Sequence, residues 1–131
     1  MTFTHRTVLA LAALAILWPA APGRSQGNLV GTEWRVAGIA GKPVTEAGTV
    51  RFEAGKVSGK AACNNYFGAL KEAGQGIEIS GIGATRKFCD GRMELEQALL
   101  KALGDSKLAR LDGATLTLLD AAGAPVLALV R

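Results

Sequence analysis

Apolar and polar residues alternate in short runs from about position 29 onward, which is the pattern of half-buried β-strands. In residues 32–39, Trp34 and Val36 fall on one face and the charged residues beside them fall on the other. Glycine, asparagine and aspartate separate the runs and favour antiparallel hairpins. The predicted strands are residues 32–39, 49–53, 56–61, 66–71, 77–82, 107–111, 115–119 and 126–130.

One segment has helical periodicity instead. Leucine recurs every four residues from Leu95 to Leu103, which forms a single apolar stripe. Asp90 is the predicted N-cap and Gly104 the predicted stop of a helix over residues 91–103. One amphipathic helix among many strands must cover a sheet or the mouth of a barrel. The sequence therefore predicts an α+β domain, with a strongly curved antiparallel sheet or incomplete barrel of about eight short strands and one helix packed on it.

Three short segments allow finer predictions. Small residues around Gly59 leave room for a bulky group to cross that strand, and Trp34 or the helix is expected there. Tyr66 and Phe67 point to opposite faces, so one belongs to the core and the other is partly exposed. Pro125 at the start of the last strand fits an edge position.

The first 26 residues form a different kind of segment. A short basic stretch precedes an apolar run of eleven residues, 8–18, and small residues follow, as in a cleaved export signal. Because roughly 20 apolar residues are needed to span a bilayer, an uncleaved anchor is the weaker alternative. No cysteine follows the run, so a lipid-modified N-terminus is not expected. We expect a signal peptide at 1–26 and a domain at 27–131 that is periplasmic or secreted without a permanent membrane anchor.

The net charge of the predicted mature domain is small. Two of the 15 basic residues and none of the 11 acidic ones lie in residues 1–26, so the formal charge falls from +4 to +2 when the signal is removed. This near balance gives no electrostatic footprint for nucleic acid. The remaining domain of about 105 residues is large enough for one hydrophobic core.

The two cysteines, Cys63 and Cys89, are most simply one disulfide in an exported protein. Closing a loop of 26 positions would stabilise the fold by about 3.5 kcal/mol in the chain-entropy model. Two free buried thiols are the alternative.

The chemistry of the mature chain excludes several mechanisms. The only histidine, His5, lies in the signal, so nucleophilic sites that need histidine are excluded. No set of residues has zinc-ligand spacing, and no metal or cofactor is predicted. Glu94 and Glu96 are expected to be surface residues that complement the helix dipole, with an acid/base pair as the alternative.

The candidate binding residues are Arg86, Asn64 and Tyr66. Arg86 precedes Cys89 and either holds its loop through an ion pair or backbone hydrogen bonds, or binds an anion or a partner. Asn64 and Asn65 either form a turn or supply polar groups to a site.

Short motifs in a fixed order extend across nearly the whole predicted domain. They are LVGTEW at 29–34, GKPV at 41–44, the stretch from Gly59 through Cys63-Asn64 and Tyr66 to Gly68, Thr85-Arg86 with Cys89, and Met93-Glu94 leading into Leu99-Leu100. Together they resemble the META domain, the family of the heat-shock protein HslJ. The resemblance implies a compact α+β domain of exported or envelope proteins, associated with stress response and, in bacteria, with novobiocin resistance. It supplies no catalytic residues.

Three functions remain open. The first is a non-enzymatic, monomeric envelope module that binds a protein partner or an apolar ligand, the ligand lying between the helix and the concave sheet. The second is a stress-induced structural or holdase-like protein, which would need a large exposed apolar patch. The third is a carboxylate-dependent hydrolase, which would need two acidic groups converging in a cleft.

Overall fold

The computed structural model describes residues 29–131, and the predicted signal peptide lies outside the described residues. These residues form a single helix, α1 (Met93–Asp105), and a series of short strands. The strands are β1 (Glu33–Ile39), β2 (Lys42–Pro43), β3 (Thr49–Glu53), β4 (Lys56–Lys60), β5 (Asn65–Ala73), β6 (Gly76–Ala84), β7 (Leu108–Asp112), β8 (Thr115–Leu119) and β9 (Pro125–Val130).

All strands pair antiparallel in one sheet of order β2-β1-β3-β4-β5-β6-β7-β8-β9, and β9 pairs back onto β1. In that closing pair Val36 lies opposite Leu129. The predicted fold class, a strongly curved antiparallel sheet with one packed helix, is confirmed. The sheet has nine strands rather than about eight, because Lys42–Pro43 returns after a tight turn and pairs with the end of β1 where the sequence indicated only a break.

The ring of strands is weakest between β6 and β7. Their ladder is a single register pair, Gly76 with Leu108, flanked by a hydrogen bond of 2.8 Å from the Ile77 N–H to the Lys107 carbonyl. The chain between these strands contains α1, which packs against β6, β9 and β1. The long connection that contains the helix therefore joins the two strands with the shortest ladder in the ring.

The core lies inside the curved sheet and under the helix. Alternate strand residues point inward, and α1 adds Leu99 and Leu103, which are fully buried. These side chains form the hydrophobic core together with the inward residues of the strands. The largest buried side chains of the strands are Trp34, Phe52, Tyr66, Leu116, Leu118, Leu127 and Leu129.

The predicted ends of the helix were wrong by two residues each. The α1 helix begins at Met93 with Arg92 at the N-cap position, and Asp90 does not cap it. Gly91 has a φ of +73°, which no right-handed helix contains, so the helix cannot begin earlier. At the other end Gly104 lies within the last turn, and Ser106 ends the helix by donating its hydroxyl to the Ala102 carbonyl at 2.7 Å.

Two strand details also differ from expectation, and one is confirmed. Strand β9 is not an edge, and Pro125 is tolerated because it is the first residue of the strand. At Gly59 the crossing group is Tyr66, rather than Trp34 or the helix: an added Cβ would lie 2.7 Å from the Tyr66 hydroxyl. Tyr66 is in the core and Phe67 is 56% exposed, as their alternation predicts.

Candidate functional site

The predicted disulfide between Cys63 and Cys89 is present, with 5.8 Å between the two Cα atoms. Cys63 lies just before β5, and Cys89 lies in the irregular segment between β6 and α1. The bridge therefore ties the entry of β5 to the segment that leads into the helix, and the alternative of two free thiols is wrong.

Glu96 lies beneath this bridge, which corrects its predicted surface position. Its side chain is only 2% exposed. The carboxylate accepts hydrogen bonds from the Asn64 N–H at 2.6 Å, the Asn64 side-chain amide at 2.8 Å and the Cys63 N–H at 3.3 Å. Glu94 is exposed, because two residues along a helix are rotated by about 200° from each other.

Asn64 is the centre of this cluster and is 2% exposed. Its side-chain oxygen accepts from the Lys87 N–H at 2.7 Å and from the Thr85 hydroxyl at 2.9 Å. Its amide nitrogen donates to the Lys87 carbonyl at 3.0 Å as well as to Glu96. We call Cys63, Asn64, Lys87, Cys89 and Glu96 the disulfide network.

The network holds residues 85–89, which we call the docking loop, from the inside. The outward side chains of this loop are exposed, and Phe88 is 78% exposed. Among residues 29–131, the Arg86 side chain makes no hydrogen bond or ion pair, so the predicted structural role for it is not seen there. The loop is fixed instead by Asn64 and the disulfide.

Tyr66 is separated from the docking loop. Its hydroxyl donates a 2.6 Å hydrogen bond to the Thr49 carbonyl across the end of β4, and burial raises its pKa well above the usual range. Of the three predicted binding residues, Asn64 and Arg86 therefore lie together at the loop, while Tyr66 lies in the core beside β3.

A cleft with a volume of about 860 Å³ lies next to the disulfide network, and its lining includes Ala62, the residue before Cys63. Its walls come from the middle of β1, the segment between β2 and β3, and the end of β4. We call it the basic cleft. Its lining residues are Arg35, Val36, Ala37, Val44, Thr45, Glu46, Ala47, Gly48, Thr49, Lys60, Ala61, Ala62, Arg92 and Val130.

Arg92 is the N-cap residue of α1 and also lines the basic cleft. It was not predicted from the sequence as a site residue. Its Nε donates to the Ala62 carbonyl at 3.0 Å, and its Nη2 donates to the Glu46 carbonyl. A cation at a helix N-terminus interacts unfavourably with the helix dipole. This placement was the sequence signal that Arg92 has a role other than stabilising the helix.

The acidic side chains of residues 29–131 form no metal site, and only one of them is buried. Within residues 29–131, no cluster of three or more His, Cys, Asp or Glu side chains is arranged to hold a metal ion. Glu96 is the one acid there that is buried, and N–H groups already occupy its oxygens. In the same range, no helix has the length and hydropathy needed to cross a membrane.

These features define a small α+β domain in which an antiparallel sheet closes on itself, one helix packs against it, and a disulfide fixes an exposed loop. The META domain model matches residues 27–131, and the chain belongs to the META family. The family resemblance seen in the motifs is thereby confirmed. No curated protein is significantly similar in sequence.

Solved structures share the fold. A Burkholderia xenovorans protein solved by NMR is 22% identical, with a TM-score of 0.64, and the match covers 99% of this chain and 98% of that one. A second NMR structure is 24% identical, with a TM-score of 0.63, covering 79% and 92%. A crystal structure of a DUF4847 family protein from Bacteroides vulgatus is 13% identical, with a TM-score of 0.63, covering 79% and 94%. At these identities the likeness concerns the fold alone.

Proposed function

We propose that this META protein is a non-enzymatic binding module of the cell envelope, and that it engages a protein partner through the docking loop. One observation carries the proposal: Phe88 is 78% exposed on a loop whose backbone is fixed by Asn64 and by the disulfide. An exposed aromatic side chain on a rigid loop offers apolar contact area without the entropy cost of ordering the loop on binding.

The chemistry of the docking loop indicates the kind of partner. Arg86 and Lys87 precede Phe88 and are both exposed. Aromatic residues and arginine are enriched among the residues that dominate binding energy. The matching surface is an apolar pocket for Phe88 with an acidic rim for the two cations.

The envelope location is part of the proposal. A disulfide is compatible with an oxidising compartment, and the signal-like segment at 1–26 supports export to the periplasm or the medium. The stress response and novobiocin resistance that the family resemblance implies are consistent with a module that acts through a partner.

The other two functions have less support. The META family is not a known enzyme family, and the buried acid Glu96 is saturated by hydrogen bonds, which disfavours a hydrolase. Among the exposed large apolar side chains in the described part of the chain, only Leu108 and Leu111 share an element, β7, and their spacing of three residues places them on opposite faces of it. This scatter favours a specific contact over a holdase surface. The exposed side chains are Val30, Phe67, Phe88, Leu108 and Leu111.

A photo-crosslinking experiment tests the proposal. Benzoyl-phenylalanine replaces Phe88 in one variant and Phe67, which is 56% exposed on β5, in the control. Irradiation in the native envelope is expected to give one discrete adduct from position 88 that is absent from position 67 and is lost with Arg86→Glu. Equal labelling from both positions, or none from position 88, contradicts the docking role.

A further inference from the structure

The basic cleft lies outside the docking loop and contains cations that the fold does not neutralise. Arg35, Lys60 and Arg92 line it, with Glu46 as the one acid. In residues 29–131 the ion pairs are Arg51–Glu53 and Lys101–Asp105, so none of the three cleft cations is paired there. The lining carries a net positive charge that is open to an anion.

Strand pairing brings two of these cations together. Arg35 lies opposite Thr49 in the β1–β3 ladder, and the Lys60 N–H donates to the Thr49 hydroxyl at 3.2 Å. Both side chains are exposed at this end of the sheet. They flank Thr49 from the two neighbouring strands, β1 and β4, and both line the basic cleft.

Arg92 supplies a cation that is fixed before any ligand arrives. Two of its nitrogens donate to the Ala62 and Glu46 carbonyls, while Nη1 has no acceptor among the described residues. Backbone carbonyls orient the guanidinium without cancelling its charge. A planar, oriented guanidinium is well suited to hydrogen-bond a carboxylate.

The floor of the basic cleft is apolar. Ala37, Val44 and Val130 are half-buried in the lining and offer apolar surface, and the other apolar lining residues, Val36, Ala47 and Ala61, are buried. The volume of about 860 Å³ lies in the range of about 300–1,000 Å³ that is usual for small-molecule sites. Cations on the rim and an apolar floor together match a ligand with an anionic head and an apolar body.

We propose that the basic cleft binds a small carboxylate amphiphile of the medium-chain fatty acid class. The carboxylate contacts Arg92, Lys60 and Arg35, and the alkyl chain lies on Ala37, Val44 and Val130, which keep accessible surface in the cleft. This site is independent of the docking loop, so one of the two proposals can fail without the other.

Isothermal titration calorimetry with three ligands of equal chain length tests the head-group requirement. Decanoate is expected to bind with one-to-one stoichiometry, decanol roughly tenfold more weakly, and decyltrimethylammonium without measurable heat. Equal affinity for decanoate and decanol, or no saturable binding of decanoate, overturns the proposal.

Charge reversal on one strand provides a matched control. Lys60→Glu and Lys56→Glu both change an exposed lysine of β4, but only Lys60 lines the basic cleft. Lys60→Glu is expected to weaken decanoate binding by about three- to tenfold, and Lys56→Glu to leave it unchanged. A similar loss in both variants would indicate general electrostatic attraction and overturn the site.

Amide chemical shifts locate the ligand directly. Decanoate is expected to shift the amides of residues 35–37, 44–49 and 60–62 and to leave residues 85–89 unaffected. Shifts confined to the docking loop would overturn the cleft assignment. The Phe88→Ala variant is expected to retain decanoate binding, which separates this result from the test of the docking loop.

Discussion

The disulfide network and the basic cleft adjoin each other, but they use their polar groups in opposite ways. In the network, the oxygens of Glu96 and both side-chain polar atoms of Asn64 have partners within the protein. In the cleft, Arg35 and Lys60 have no ion-pair partner among residues 29–131. Satisfied buried groups fix a shape, whereas cations without partners remain available to a ligand.

The strongest test of this contrast is the removal of Glu96. Glu96→Ala leaves the Cys63 and Asn64 N–H groups without their buried acceptor, and we expect a loss of about 3 kcal/mol in unfolding free energy. Urea denaturation measures the loss. Glu94→Ala removes an exposed acid from the same helical turn and should change stability by less than about 0.5 kcal/mol. Equal losses in the two variants would mean that the network does not stabilise the fold.

Tyr66 sharpens the comparison, because its strand begins at the network while its hydroxyl bonds to Thr49 at the edge of the basic cleft. Its pKa is about 10 in the unfolded chain and is raised by burial in the folded protein. The stability from this raised pKa is fully present below pH 10 and is lost as the pH rises toward the folded pKa. We expect the contribution of Tyr66 to the free energy of unfolding to fall by up to about 1.4 kcal/mol per pH unit above pH 10.

Tyr66→Phe provides the control for that pH dependence. It should cost about 1 kcal/mol at neutral pH, through the lost hydrogen bond, and make the alkaline decline shallower. The chain contains one tyrosine, so tyrosinate absorbance during an alkaline titration reports this residue alone. Ionisation of the folded protein near pH 10 would be inconsistent with a buried hydroxyl.

The smallest expected effect is in the basic cleft. Arg35→Ala and Lys60→Ala should each change unfolding free energy by less than about 0.5 kcal/mol, since neither side chain is paired within the described chain. Thermal melts at low and moderate salt measure this. A loss above about 1 kcal/mol in either variant would show that these cations stabilise the fold, and the contrast with the network would no longer hold.

Local pattern was sufficient for most of the architecture. The bounds of every strand except β2 were predicted within two residues, and Tyr66 and Phe67 lie on opposite faces as expected. Both follow from alternation, which depends only on neighbouring residues. The disulfide followed from the cysteine count and the expected compartment. The helix was found, but its start was misplaced, because the left-handed conformation of Gly91 is set by its surroundings.

The candidate site was harder to predict. Glu96 was expected on the surface, because its position in the first turn of a helix is one that acids favour for local electrostatic reasons. Its true partners are 32 and 33 positions away in the chain. Arg92 likewise acts on a carbonyl 46 positions away, and periodicity contains no signal for such a contact.

The sequence by itself determined the strands and turns, the presence of one amphipathic helix, the cysteine pair and the family. The tertiary structure alone decided that β9 closes onto β1, that Glu96 is buried under the disulfide, and that Arg35, Lys60 and Arg92 meet around one cleft. The physical reason is distance along the chain. Strand and helix patterns arise from interactions among near neighbours, whereas burial and charge convergence depend on which distant segments the folded core brings together.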